Sequence, residues 1–446
     1  MDKPVRLAAI SLENFRNVAR GSITMPSRIK GHENAADILG IYGQNGSGKT
    51  AAIEALGIMQ RLMSGGDLPG KSHDYINIDA QSSTIALTFT VDDIAYTYEA
   101  VLGGVADKAV LMAERLFEKK PSARKQRLML EHERGVREPG PKTALQAIYK
   151  GGKDKELDLL VAVRMAEKAG VSLFFSEDGG YGILKESFPV LESLHVYSKV
   201  SFIVLSTNES SLSSTSKLPV TYQTKKDGKL ERGRLILDLS GPSVIPLQEK
   251  ILLEDLLKEM NTVISTIIPR LRIGLHVNGA ELTKEGKEGY SVQLVSYKNG
   301  TPIPLRFESE GIIKLISILS VLLSVYNSPS ICLVIDEMDA SIFEYLLGEL
   351  VSVLQTGAQG QLIFTSHNLR ILEMLDSNAI IFSTANPENR YIRLSEKEAG
   401  GNLRDAYLRT ILLGGAGENI YEETDSHEIG RALRRAWRLK DGEGTE

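Results

Sequence analysis

One cysteine, Cys332, and one tryptophan, Trp437, stand in a chain of 446 residues. A lone cysteine cannot close an intrachain disulfide, and it excludes a zinc site built from cysteines alone. Long apolar runs are also missing. The longest, residues 315–326, is twelve residues with three serines, short of the roughly 18 that a membrane span needs. The apolar run within the opening MDKPVRLAAISLENFR is too short for a secretory signal, so a cytoplasmic protein without a membrane partner is expected. Nor is there an excess of positive charge. The formal net charge is −5, which argues against a surface coated in cations but leaves room for local basic patches. Hydrophobic residues at 42% and charged residues at 24% exclude wholesale disorder. The length allows two or three modules of roughly 150 residues, or one large domain with an insertion, and a core that needs no covalent staples.

Residues 6–12 and 38–42 read as strands. The second runs into a glycine-rich turn, and a helical pattern follows over 50–63. Alternating runs at 84–91, 95–102 and 109–117 are punctuated by Asp92-Asp93 and Gly103-Gly104, the pattern of an antiparallel set. A helix is expected over 155–169, with Asp154 as N-cap and Gly170 as stop. Residues 206–216 are serine-rich and read as a loop. Asp227-Gly228 and Asn299-Gly300 each sit between β-prone runs and predict hairpins, the second joining 291–297 to 301–307. In 247–268, Leu253, Leu256, Met260, Val263 and Ile267 recur at 3, 4, 3, 4. That is coiled-coil spacing, but over about two heptads it favours a core helix. Further elements are a helix over 311–326, a buried strand over 331–335, a helix near 343–354 and a strand over 362–365.

Three segments carry chemistry. Gly43-Gln44-Asn45-Gly46-Ser47-Gly48-Lys49-Thr50 fits G-x-x-x-x-G-K-[ST], with an apolar strand before it and a helix after it. Glycines let successive N–H groups turn inward toward phosphate oxygens, and the helix adds its positive end. Lys49 would reach the β- and γ-phosphates, and Thr50 would place its hydroxyl on Mg²⁺. In the second segment, Ile331-Cys332-Leu333-Val334-Ile335-Asp336-Glu337, a buried strand delivers two carboxylates at its C-terminal end, where open α/β sheets place their chemistry. Asp336 would hold magnesium, directly or through water. Glu337 would orient or deprotonate the attacking water. The third segment, Leu362-Ile363-Phe364-Thr365-Ser366-His367, delivers His367 to the γ-phosphate or to that water. His367 follows Asp336 by 367 − 336 = 31 residues, room for one helix between adjacent parallel strands.

These residues resemble the ABC-type ATPase heads of the SMC, RecF and OLD families. The opening Leu12-Glu13-Asn14-Phe15-Arg16-Asn17 is similar to the first-strand signature of such heads, and Ile53-Glu54-Ala55-Leu56 after the lysine is typical of them. The resemblance implies an α/β P-loop fold of ABC-ATPase type: a mixed central sheet, an antiparallel β-subdomain and a mainly helical insertion. It implies Arg16 as a nucleotide contact, Met338-Asp339-Ala340-Ser341 as the D-loop and His367 as the switch histidine. It also implies Ser309 and Gly311 as the signature, in which Glu308 replaces the usual leucine and Ile312 the glutamine. Gln81 and Gln126 are both open as the Q-loop residue. The lysine and the acidic pair lie 336 − 49 = 287 residues apart, so the expected division is head lobe 1–117, insertion 118–289, head lobe 290–395 and helical tail 396–446. No nuclease motif follows the head, unlike OLD proteins with their appended nuclease, and the chain is similar to stand-alone OLD-like ATPases of phage-defence operons such as the PARIS system. The implied ligands are ATP and Mg²⁺. The implied activity is hydrolysis by a homodimer or higher homo-oligomer paired through its heads, ATP lying between Lys49 and Thr50 of one copy and Ser309 and Gly311 of the other. The implied role is a switch over a separate effector nuclease, or a RecF-like ATPase on DNA.

Two basic stretches stand outside that frame. Lys119, Lys120, Arg124, Lys125 and Arg127 form a run that reads mainly as a solvated loop, with nucleic-acid phosphates as the alternative. Arg431, Arg434, Arg435 and Arg438 recur on one helical face beside Ile429 and Leu433. That face suits DNA, an acidic partner or plain solvent. Glu131-His132-Glu133 is not read as a metal site, since neighbours in sequence do not share a helix face.

Overall fold

The computed structural model describes residues 4–26, 37–136, 139–141, 153–206, 217–226, 229–283, 286–298, 300–394, 402–413, 418–421 and 425–440. Its organising element is helix α1 (Lys49–Met63), whose apolar residues are buried nearly all round. A helix of that kind must be covered on both sides, and two sheets cover it.

On one side lies an antiparallel sheet in the order β2 (Val18–Thr24), β1 (Arg6–Phe15), β4 (Ser83–Val91), β5 (Ile94–Val105), β6 (Lys108–Lys119), β7 (Arg127–Glu133). Strand β4 alternates strictly between buried and half-buried residues, as a sheet with one wet face requires. Asp92-Asp93 turns as expected, both residues in the left-handed region at φ 49° and 66°. Gly103-Gly104 does not turn. It continues β5, and the turn falls at Ala106-Asp107, φ 50° and 65°. Gly103 serves packing instead, since a Cβ there would lie 2.4 Å from the Met112 side chain.

On the other side lies the central sheet, in the order β18 (Tyr391–Ile392), β17 (Ile380–Ser383), β3 (Asp37–Tyr42), β16 (Gln361–Thr365), β15 (Cys332–Ile335), β8 (Phe202–Leu205). Its pairings are parallel except at β18. Strands β3, β15, β16 and β17 are buried throughout, which is why they read as continuous apolar runs rather than alternating ones. This is the mixed-sheet α/β head with an antiparallel subdomain that was expected.

Residues 118–289 hold α2 (Lys153–Ala169), α3 (Tyr181–Ser187), α4 (Val190–Val196) and α5 (Leu247–Ile267). They also hold more strand than the expected mainly helical insertion. Besides β7 and β8, which join the two head sheets, there is the hairpin β9 (Lys217–Lys226) and β10 (Lys229–Asp238). Strands β11 (Ser243–Pro246) and β12 (Arg272–Leu282) pair with β13 (Glu288–Lys298). Strand β14 (Thr301–Pro304) adds to β13 and stops three residues short of the expected 307, where residues Leu305–Phe307 wind into a 3₁₀ turn. Most of the expected 206–216 loop, and the two turn residues Asp227 and Gly228, lie outside the described residues. Asp154 falls inside the first turn of α2 rather than capping it, while Gly170 ends that helix at φ 74°. Helix α5 is a core helix, but it buries Leu253, Leu257, Met260 and Ile264, one step round from the expected stripe through Leu256 and Val263.

Helix α6 (Glu310–Asn327) is long and apolar enough to cross a membrane by composition. Its buried residues pack instead into the cores beneath β9 and β15. Helices α7 (Glu344–Gly357), α8 (Leu369–Met374), α9 (Leu403–Leu413) and α10 (Ser426–Lys440) complete the chain.

Where the insertion meets the antiparallel sheet, Glu114 of β6 is wholly buried. It accepts hydrogen bonds from Tyr98 Oη (2.9 Å), Ser172 Oγ (2.6 Å) and the Leu173 amide (2.6 Å). Burial outweighs those bonds and pushes its carboxyl up to about 7. Between the ordinary carboxylate range and pH 7 the folded chain therefore holds a proton that the unfolded chain has released, and stability falls as pH rises through that window. Unfolding free energies at pH 5 and pH 8, from denaturant titrations, should differ more for the parent than for Glu114→Gln, by on the order of 3 kcal/mol at 1.36 kcal/mol per unit.

Candidate functional site

The glycine loop is shaped by its neighbours as much as by its own sequence. Gly46 and Gly48 take φ 81° and 95°, conformations that a side chain would strain. Gly43 has no room for one, since a Cβ would lie 2.1 Å from Ser383 Oγ of β17. Ser47 Oγ donates to the Gln44 carbonyl (2.6 Å) and shares a hydrogen bond with Ser383 Oγ. Lys49 Nζ folds back onto the loop and donates to the carbonyls of Gly43 (2.8 Å) and Gln44 (2.9 Å). Asn17 Nδ2 donates to the Gly46 carbonyl, and Arg16 is ion-paired with Glu54 of α1. Tyr391 Oη donates to the Gly48 carbonyl at 2.7 Å, and Arg390 Nη2 to the Asn17 carbonyl at 2.6 Å. Arg390 and Tyr391, at the entry to β18, thus brace both the turn that carries Asn17 and the loop.

Strand β15 ends at Ile335 and delivers Asp336 into a buried position, 1% exposed. Thr365, at the end of the neighbouring β16, serves both carboxylate residues. Its Oγ1 donates to Asp336 Oδ1 (2.5 Å) and accepts from the Glu337 amide (2.8 Å). Glu337 has φ 49°, a left-handed conformation rare for a residue with a side chain and held here by its surroundings. The His367 amide donates to Asp339 Oδ2 at 2.9 Å, tying the segment after β15 to the histidine.

One cavity of about 430 Å³ gathers Arg16, Asn45, Gly46, Gly48, Lys49, Thr50, Asp336, Glu337 and His367 from the expected set. Gly43 and Ser47 form the packed base of the loop behind it. Burial lowers the Lys49 pKa, opposed by the carboxylates of Asp336, Glu337 and Asp339. Burial, and then the Lys49 charge, lower that of His367, so the imidazole is neutral at pH 7 and can accept or donate a hydrogen bond. A hydroxyl and one carboxylate, Thr50 and Asp336, suit a hard cation such as Mg²⁺, which takes few protein oxygens and completes its shell with water and phosphate.

Ser309 and Gly311 lie outside this cavity. Ser309 caps α6, its side chain accepting from the Ile312 amide, and it and Glu310 lie exposed at the surface. Gly311 packs on the segment after β15, where a Cβ would lie 2.2 Å from the Ser341 carbonyl oxygen. Glu308, in place of the usual leucine, is buried and accepts from Ser296 Oγ (2.6 Å) and Lys298 Nζ (2.9 Å), which pins the signature segment to β13. Neither Gln81 nor Gln126 lines the cavity.

The sequence reading passed over Thr365, Ser383, Arg390 and Tyr391. Thr365 lies within the quoted third segment, and its place at a strand end beside His367 was the available signal. The others are brought in by β17 and β18, which carry no motif.

No family model matches the chain, and no curated protein does. Among solved structures it is similar to the SMC head domain from Thermotoga maritima, at 14% identity and TM-score 0.37 over 87% of this chain and 99% of that one. It is similar to the Smc head of Pyrococcus furiosus bound to the C-terminal domain of ScpA, at 12% identity and TM-score 0.42 over 90% and 100%. It is similar as well to the recombination mediator protein RecF, at 11% identity and TM-score 0.36 over 88% and 99%. The likenesses are distant. The P-loop fold is carried by the glycine loop, the order of the central sheet and the cavity at its edge.

Proposed function

We propose that the chain binds ATP with Mg²⁺ in this cavity and hydrolyses it, and that two copies pair head to tail around the nucleotide. The observation that carries the reading is the convergence of Lys49, Thr50, Asp336, Glu337 and His367, drawn from three distant segments, on one cavity. The loop amides and Lys49 bind the phosphates. Mg²⁺, held by Thr50 and Asp336, would offset phosphate charge when bound. Glu337, aimed by its unusual backbone and by Thr365, orients the attacking water and takes its proton. Neutral His367 donates to the γ-phosphate or holds that water. Phosphoryl transfer asks mainly for such positioning and charge stabilisation. Arg16 is held by Glu54 and lines the cavity, ready to exchange that partner for a phosphate.

Ser309 and Gly311 would act on the other copy's nucleotide, which agrees with their place outside their own cavity. The N-terminus of α6 then adds positive partial charge to the γ-phosphate across the interface. ATP favours the closed pair and hydrolysis loosens it, so nucleotide works as a switch through its differential affinity for two states.

The use we favour for that switch is control of a separate effector nuclease in phage defence. The second reading is a RecF-like ATPase that clamps DNA. ATPase assays of the purified chain with and without duplex DNA separate them. Turnover that DNA leaves unchanged favours the effector reading, and several-fold stimulation by DNA alone, declining steeply with salt, favours the second. Absence of ATP turnover under every condition would overturn both.

A further inference from the structure

A second cavity, about 310 Å³, opens between α5, α6 and β9. Its walls include Leu252 and Leu256 of α5 and Leu323 of α6, with the carboxylates of Asp255 and Glu259 beside them. Ser320 also lines it. That residue is 3% exposed, and its hydroxyl has no hydrogen-bond partner among the described residues. A buried, unpartnered hydroxyl is costly unless something else reaches it. Lys258 holds Asp255 from the solvent side at 2.8 Å, while Glu259 has no ion pair among the described residues. The combination of an apolar wall, two carboxylates and an unmet hydroxyl fits a guanidinium on an apolar scaffold. A guanidinium offers five donors in a fixed fork, enough for the carboxylates and Ser320 Oγ together.

The chain carries such a scaffold. Helix α10 repeats arginine at 431, 434, 435 and 438. Ile429 and Leu433, one turn apart, are 49% and 69% exposed. In the single chain residues 426–436 of this helix are exposed or half-exposed, and none of them lines the groove. We propose that the groove between α5 and α6 is the docking site for helix α10 of a second copy. An arginine of that helix enters between Asp255 and Glu259 and donates to Ser320 Oγ, and Ile429 and Leu433 lie against the leucine wall. Ser320 stands eleven residues beyond Ser309 on the same helix, about 16 Å along its axis. Pairing of heads through Ser309 therefore leaves the groove free, and this contact stands apart from the nucleotide reading.

The test uses full-length protein. Glu259→Cys and Arg434→Cys are placed in separate copies with different tags, mixed without nucleotide and treated with a bis-maleimide. The native Cys332 is wholly buried and leaves the background low. A covalent heterodimer joining the two tags is expected. Asp255→Arg with Glu259→Arg should weaken self-association by about tenfold or more, as like charges facing each other do. Adding Arg434→Glu and Arg435→Glu to that groove variant should restore most of it. If no cross-link joins the two tags although both variants melt like the parent, the proposal is overturned. It is equally overturned if Arg434→Glu with Arg435→Glu changes DNA binding and leaves self-association as it was.

Discussion

Glu337→Gln should hold ATP without turning it over. Phosphate release is expected to fall by roughly 100-fold or more, the range that loss of a positioned general base produces, while nucleotide affinity is kept. The substitution is close to isosteric, and Glu337 contributes its backbone amide, not its carboxylate, to the bond with Thr365 Oγ1. The local frame should survive. With the water no longer activated, the closed pair should accumulate, so light scattering in ATP should give twice the mass seen without nucleotide. Turnover equal to that of the parent would remove Glu337 from the mechanism.

Lys49→Ala should act at the earlier step. The Lys49 ammonium is buried and makes its two hydrogen bonds to carbonyls of its own loop, bonds that a triphosphate can take over. Its removal leaves phosphate oxygens without their nearest full charge. ATP affinity is expected to fall roughly 100-fold, close to 3 kcal/mol at 1.4 kcal/mol per decade, with hydrolysis lost in parallel. Burial already disfavours the charged lysine in the free protein, so the variant should melt within a few degrees of the parent. Calorimetric titration and a melting curve on the same sample separate the two effects. A large loss of melting temperature with unchanged ATP affinity would make Lys49 a structural residue.

The parts of the site legible in the sequence were those with local geometry. A loop that needs φ near 90° at Gly46 and Gly48 must place glycine there, and a strand buried on both faces must be apolar until it reaches the edge where Asp336 emerges. The legible helices were those with an apolar stripe and a clean stop, such as α1. The unreadable parts depend on partners distant in sequence. Strand β8 is four residues long and became part of the central sheet only by pairing with β15. Arg390 and Tyr391 reach Asn17 and Gly48 across more than 340 positions, and neither lies in a motif. Leu257 rather than Leu256 faces the core of α5 because the sheet β11–β13 sets the angle at which that helix lies, and heptad spacing alone does not determine that angle. Glu308 looked like a departure from the signature, yet its carboxylate has a specific seat on Ser296 and Lys298.

In the proposed site three segments of the chain surround a single magnesium-bound triphosphate, which a crystal structure of Glu337→Gln with Mg²⁺ and ATP would display. Lys49 Nζ is expected on the β- and γ-phosphates, Thr50 and Asp336 about the metal, His367 at the γ-phosphate, and Ser309 of a second copy facing the same nucleotide. Nucleotide bound elsewhere, or bound here with Asp336 and His367 turned away from it, would contradict that arrangement.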